Sequence, residues 1–212
     1  IERSGHIGGT TARSSGTVWI PDNPEQRRHG VQDDASAART YLDAPVGTRA
    51  DPALREAFIV AGPQMLRYLE ERTDVRFRSY VTSVDYRQDL PGAARGGRPL
   101  EPLEFDGRTL GEAFDRVLAP LPELMLFGRM MITRGEAARL LRLPKSIDAF
   151  GLGARLVTRY AADRLRYRRG TRLVLGNALV ARLYKALLDR RVPRLLATRT
   201  QRLVVEDGRI AG

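Results

Sequence analysis

A carboxylate at Glu2, paired glycines at Gly8-Gly9 and the hydroxyls of Thr10, Thr11, Ser14 and Ser15 crowd the start of the chain. Ile1-Glu2 fits the end of a strand with an acidic tip. In a dinucleotide-binding unit a carboxylate there hydrogen-bonds the ribose hydroxyls, and the phosphate-binding glycines lie about 20 residues upstream. That places them before Ile1. Consecutive glycines permit positive φ and a close approach of backbone to a bulky ligand. Small hydroxyls and free N–H groups suit phosphate oxygens, and Arg13 can add a counter-charge. A loop of this composition also serves elsewhere as a plain turn.

The ordered run Ile1-Glu2, Ile7-Gly8-Gly9-Thr10-Thr11 and Ser14-Ser15-Gly16-Thr17-Val18-Trp19-Ile20-Pro21 closely resembles the segment after the second Rossmann strand of FAD-dependent 3-ketosteroid dehydrogenases. Relatives in the fumarate reductase and succinate dehydrogenase flavoprotein superfamily share a looser version. The resemblance implies that Glu2 holds the adenosine ribose. It implies too that the loop opened by Gly8 and Gly9 lies along FAD, lined by Thr10, Thr11, Ser15 and Gly16.

Two further stretches carry the likeness. Asp85-Tyr86-Arg87-Gln88-Asp89-Leu90-Pro91-Gly92 resembles a family stretch that supplies an active-site tyrosine. Its first tyrosine is kept as Tyr86, and Arg87 takes the place of its second. Gly170 to Leu179 resembles the glycine-bounded lead-in to the helix before the family's FAD-domain strands, and Thr198 to Gly208 resembles the strand whose backbone meets adenine, with Thr200 as the expected contact. As a phenol, Tyr86 can act as a general acid beside an enolising carbonyl or be a loop tyrosine with a hydrogen-bonded tip.

The elements that must position these residues follow from local pattern. Asp51-Pro52 starts a helix well, as N-cap and first residue. Gly62-Pro63 is expected to interrupt it, with a second helix to about Arg72. Val75–Val81 alternates like a strand. Residues 86–107, rich in Pro and Gly, read as a long ordered loop whose Arg95 and Arg98 are solvated charges or hold an acidic substrate. Helices are expected at 109–118, 134–142 and 147–166, and after Gly176-Asn177, with Asn177 as N-cap. Val192–Leu196 and Thr200–Val205 read as strands, and Glu206 to Arg209 as a hairpin turn. Trp19 reads as a packing residue. Met125, Met130 and Met131 around Phe127 read as core or as a greasy substrate wall.

The 212 residues include no cysteine and two histidines, which removes disulfides and thiol catalysis and leaves little for a metal site. The net charge of +11 is nearly all arginine, Lys145 and Lys185 being the only lysines. The arginines are scattered, so they read as solvated surface rather than a nucleic-acid arm. No apolar run approaches the ~20 residues of a membrane span, and no signal peptide is visible. Both ends read as cut from a longer, cytoplasmic protein of unspecified oligomeric state.

The expected fold is α/β: a partial Rossmann-like FAD-binding domain with inserted helices and a terminal β-hairpin. Residues 1–21 form the FAD loop, 34–168 a helical and loop insertion, and 170–212 the return to the FAD domain. The resemblance implies an FAD-dependent oxidoreductase acting on a C–C bond beside a carbonyl, with a ketosteroid-like small molecule favoured as substrate. The alternatives are a fumarate reductase-like enzyme on a small dicarboxylate, an inactive piece, or a basic binding module.

Overall fold

The computed structural model describes residues 1–211. Short strands alternate with helices, as the α/β reading expects. A single helical turn, α1 (Gly9–Ala12), leads into β1 (Val18–Trp19), followed by α2 (Pro24–Arg28), α3 (Ala35–Val46) and α4 (Pro52–Arg72). Next come β2 (Phe77–Ser79), β3 (Pro99–Pro102), β4 (Phe105–Asp106) and a 3-10 segment (Gly107–Arg116). The β5 (Met125–Leu126) and β6 (Met130–Met131) hairpin precedes α5 (Arg134–Leu140) and α6 (Ile147–Arg164). The chain returns through β7 (Arg172–Leu173), the buried helix α7 (Leu175–Asp189) and the hairpin β8 (Val205–Glu206) and β9 (Arg209–Ile210).

The largest sheet is antiparallel in the order β1-β3-β2, with Val18 opposite Leu100 and Phe77 opposite Pro102. A second antiparallel pair sets Phe105 of β4 against Leu173 of β7. Among the described residues, the parallel pairing is one bridge, Ile7 to Val117. Helix α7 organises the interior. Leu179 packs into a core of Ile20, Leu66, Val75, Phe77 and Leu100. Ala178, Val180, Ala181 and Tyr184 pack into another with Phe105, Phe114, Val117 and Leu173. Burying one such aliphatic side chain contributes roughly 1.5–3 kcal/mol, so two cores meeting on one helix fix its place firmly.

Several sequence expectations change. Gly62-Pro63 does not break the helix: α4 runs unbroken from Pro52 to Arg72. Both residues are buried, and a Cβ on Gly62 would stand 3.0 Å from Cγ2 of Ile20. Close packing on Ile20 outweighs the backbone bond that Pro63 cannot make. The 86–107 stretch is not all loop, because it contains β3, the central strand of the sheet, and β4. The Val75–Val81 strand shrinks to Phe77–Ser79, and 109–118 is 3-10 rather than α-helix.

Val192–Leu196 forms no strand, and of Thr200–Val205 only Val205 pairs in one. The 206–209 turn forms as read, with Asp207 and Gly208 at positive φ, the backbone a two-residue hairpin requires. Among the described residues no helix is long and apolar enough to cross a membrane, and no three His, Cys, Asp or Glu side chains gather as metal ligands.

Candidate functional site

The Gly8–Gly16 loop is clamped to the start of α7. A Cβ on Gly8 (φ +127°) would lie 2.7 Å from that of Ala12, and one on Gly16 would lie 2.6 Å from Cα of Gly176. Conversely, a Cβ on Gly176 would stand 1.9 Å from the carbonyl oxygen of Thr11. Two backbones thus cross where neither can carry a side chain. The Gly176 N–H donates to the Ser14 carbonyl at 3.1 Å. The Ser14 hydroxyl donates to the Thr11 carbonyl at 2.9 Å and accepts the Gly16 N–H at 3.0 Å.

Asn177 is not an N-cap. Val174 occupies that position, and Asn177 lies fully buried inside α7. Its Nδ2 donates to the carbonyls of Ala12 (3.0 Å) and Leu118 (2.8 Å), tying the loop to the helix. Sequence reasoning missed this, because the partners are remote in the chain. The paired Gly176-Asn177 was the visible signal, read as a local cap.

The clamp leaves the outer edge of the loop open. Gly9 has φ +48° and nothing within 4 Å of where a Cβ would stand. Thr10 and Thr11 are exposed beside it, and the first bond closing the turn is Ala12 N–H to the Gly8 carbonyl. The preceding amides of Gly9, Thr10 and Thr11 therefore head the turn. Ser15 hydrogen-bonds Thr17 between hydroxyls at 3.1 Å.

Glu2 and the 195–200 segment, from opposite ends of the sequence, meet. Glu2 N–H donates to the Leu195 carbonyl (2.7 Å), Thr198 N–H to the Glu2 carbonyl (2.9 Å) and Ala197 N–H to the Ser4 carbonyl (2.8 Å). Exposed Thr200 follows two residues on. The Ser4 N–H donates to Glu2 Oε1 at 2.7 Å, and this hydrogen bond holds the carboxyl below the usual glutamate range. Glu2 thus presents a charged acceptor, the form a ribose hydroxyl needs.

Tyr86 is fully exposed, yet its neighbours are pinned. Buried Asp85 accepts from Trp19 Nε1 (2.6 Å), Ala94 N–H (2.8 Å) and Arg98 (2.8 Å). Arg87 N–H donates to the Tyr41 hydroxyl at 3.3 Å, and its guanidinium pairs with Asp89.

Arg98 corrects the solvated-loop reading: it is 0% exposed and bridges Asp33 (2.8 Å) and Asp85 (2.8 Å) beside the rings of Trp19 and Tyr41. Burial pushes the Asp33 carboxyl up, but hydrogen bonds from Arg98 and the Asp22 N–H outweigh it and leave it below its ordinary value. Trp19 packs as expected, stacked with Tyr41 and with Phe58. Through Asp85 it also joins the strand after the glycine loop to the Tyr86 turn. Arg95 stays exposed. Met130 and Met131 are buried, Met131 within the core around α7, while Phe127 is exposed.

An open glycine turn is clamped to a buried helix, and a carboxylate stands where the chain's two end segments pair. All of residues 1–212 match the family model described as FAD binding domain, and the chain belongs to that family. FAD is the family's cofactor. The open space at Gly9 beside first-turn amides fits a phosphate-bearing group.

The chain is 33% identical over 217 residues to a 3-oxosteroid 1-dehydrogenase of Mycobacterium tuberculosis, covering 100% of this chain and 37% of the relative. It is 34% identical over 220 residues to the 4-oxocyclohexanecarboxylate 2-dehydrogenase of Sinomonas cyclohexanicum, covering 100% of this chain and 35% of that one. Among solved structures, the 3-ketosteroid delta1-dehydrogenase of Sterolibacterium denitrificans, in complex with 1,4-androstadiene-3,17-dione, matches with a TM-score of 0.87 at 34% identity. That match covers 97% of this chain and 36% of the other. The chain therefore spans little more than a third of its relatives' length.

Proposed function

We propose that this chain is the FAD-holding part of a dehydrogenase that introduces a C–C double bond beside a ring ketone, with a 3-ketosteroid as favoured substrate. The observation that carries the proposal is the clamped glycine turn, left open at Gly9. Glu2 accepts from the ribose hydroxyls, with Thr200 alongside at the adenine. The amides of Gly9, Thr10 and Thr11, which follow Gly8, face phosphate oxygens, and Ser15 and Gly16 continue the wall. FAD, when bound, supplies the hydride acceptor.

Tyr86 is the proposed catalytic residue. Its hydroxyl donates a hydrogen bond to the ketone oxygen and stabilises the enolate charge that develops as the neighbouring carbon passes its proton to a base supplied by the rest of the enzyme. The Asp85–Arg98–Trp19 knot holds the backbone that carries it. The proposed setting is the cytoplasm. A second reading, a small alicyclic keto acid as substrate, is favoured by the 34% identity to the 4-oxocyclohexanecarboxylate enzyme.

The test is to purify the full-length protein and record its absorption. Flavin bands and anaerobic bleaching by a 3-ketosteroid are expected. A colourless protein that releases no flavin on denaturation refutes the reading. Bleaching by 4-oxocyclohexanecarboxylate alone selects the second substrate, and reoxidation of reduced flavin by fumarate alone overturns both.

A further inference from the structure

Between the β5–β6 hairpin and α6 lies a cavity of about 250 Å³, walled by Met125, Met130, Met131 and Leu156 on its apolar side. Arginine dominates its polar lining, alongside Tyr160 and Asp163. Two of these arginines are neutralised: Arg159 and Arg172 share Glu104, and Arg172 also binds Glu136 at 2.8 Å. Asp163, the carboxylate in the wall, spends Oδ2 on the N–H (2.7 Å) and hydroxyl (2.9 Å) of Thr171. Arg129, Arg164, Arg168 and Arg169 also line the cavity, and among the described residues none of them makes an ion pair.

Arg169 is the most telling. It donates to the Val117 carbonyl (3.0 Å) and to Asn177 Oδ1 (3.3 Å) and lies over the Phe114 ring at 4.5 Å. Burial, scarcely offset by Asp115, brings its guanidinium down to about 10. A half-buried cation without an anion carries a desolvation cost, and a guanidinium fork matches a carboxylate in two-point geometry.

We infer that this cavity binds a small organic anion, a carboxylate on a compact apolar body, with Arg168 and Arg129 at its mouth and Arg169 at its inner wall. The size sets the class: the volume lies below the ~300–1,000 Å³ of pockets for drug-sized ligands. The same Asn177 that accepts from Arg169 donates to the Ala12 carbonyl in the glycine loop. Occupancy of the cavity is thereby felt at the loop, a coupling that rests on the FAD-binding role proposed above.

The test titrates the full-length protein calorimetrically with cyclohexanecarboxylate, decanoate, cyclohexanemethanol and inorganic phosphate, and measures flavin affinity separately with and without the bound acid. At least one carboxylate is expected to bind at least about tenfold more tightly than the alcohol and phosphate, ~1.4 kcal/mol. Whichever acid binds tells an alicyclic from an acyl ligand. Replacing the exposed pair, Arg129→Ala with Arg168→Ala, is expected to weaken that binding at least about tenfold while the fold persists. Equal binding of the alcohol or of phosphate, no binding, or carboxylate binding untouched by the double substitution overturns the site. Carboxylate binding that leaves flavin affinity unchanged overturns the coupling alone. A protein without flavin that still binds the acid through these arginines separates this proposal from the fate of the dehydrogenase reading.

Discussion

Arg98, fully buried, and Arg169, half-buried, are two arginines solved in opposite ways. Arg98 sits between two carboxylates, each hydrogen-bonded and equally buried, and burial's downward pull on it is outweighed by Asp33 and Asp85. Arg169 has only a backbone carbonyl, an amide oxygen and an aromatic face. The first arrangement joins α3's approach, β1 and the Tyr86 turn into one rigid unit. The second leaves a charge waiting for a partner. A buried cation enclosed by anions is structural, whereas one enclosed by dipoles beside a cavity is available to a ligand.

The contrast can be broken most strongly at Arg98. Arg98→Met leaves Asp33 and Asp85 buried without a cation and is expected to cost ~3–5 kcal/mol, read as a lower midpoint in urea unfolding. The pH dependence sharpens this. Asp33 has a folded-state value below its unfolded one, so its stabilisation is present above the unfolded value of ~3.9 and is lost as pH falls through the lower folded value. In Arg98→Met the carboxyl loses the two Arg98 hydrogen bonds, keeps those from the Asp22 N–H and Gln26, and stays buried. The gap between parent and variant should therefore narrow as pH falls below about 4, measured by unfolding at stepped pH.

Next in size is Gly176→Ala. Its methyl would meet the Thr11 carbonyl at 1.9 Å and that of Ser14 at 2.8 Å, so the loop must move. An overpacking cost of ~1–3 kcal/mol is expected, with weaker flavin retention on gel filtration. The smallest effect belongs to Arg169→Leu. It removes an uncompensated cation and keeps apolar bulk over Phe114, so stability should change by less than ~1 kcal/mol. A loss as large as that of Arg98→Met would show that the two sites do not differ.

What could be read from sequence was what depends on near neighbours. The Asp51-Pro52 helix start, the Asp207-Gly208 turn and the apolar face of α7 each declare themselves within a few residues. The glycine loop was legible as a motif, whereas the end segments carrying Glu2 and Thr200 read as strand and form none at those residues. Hidden were the features whose partners are remote. Arg98 stands in a Gly- and Pro-rich stretch that looks solvated, and its carboxylates are 65 and 13 residues away. Asn177 looks like a cap until Ala12 and Leu118 arrive beside it. The Gly62-Pro63 pair signals a break, yet packing on Ile20 keeps the helix whole. Strand β3 carries prolines at both ends and draws its order from β1 and β2 on either side.

The backbone seam between Glu2–Ser4 and Leu195–Thr198 carries a consequence for folding order. It closes a loop of almost the entire chain, and closure entropy rises as about (3/2)RT ln n. So distant a contact is rewarded only after the elements between have condensed. The seam is thus a late event on the way in and an early one on the way out. A cofactor gripped by Glu2 would bind only chains whose seam is shut, and would stabilise them by mass action. Flavin would then act as a clasp as well as a reagent, with its concentration setting how much of the protein stays closed.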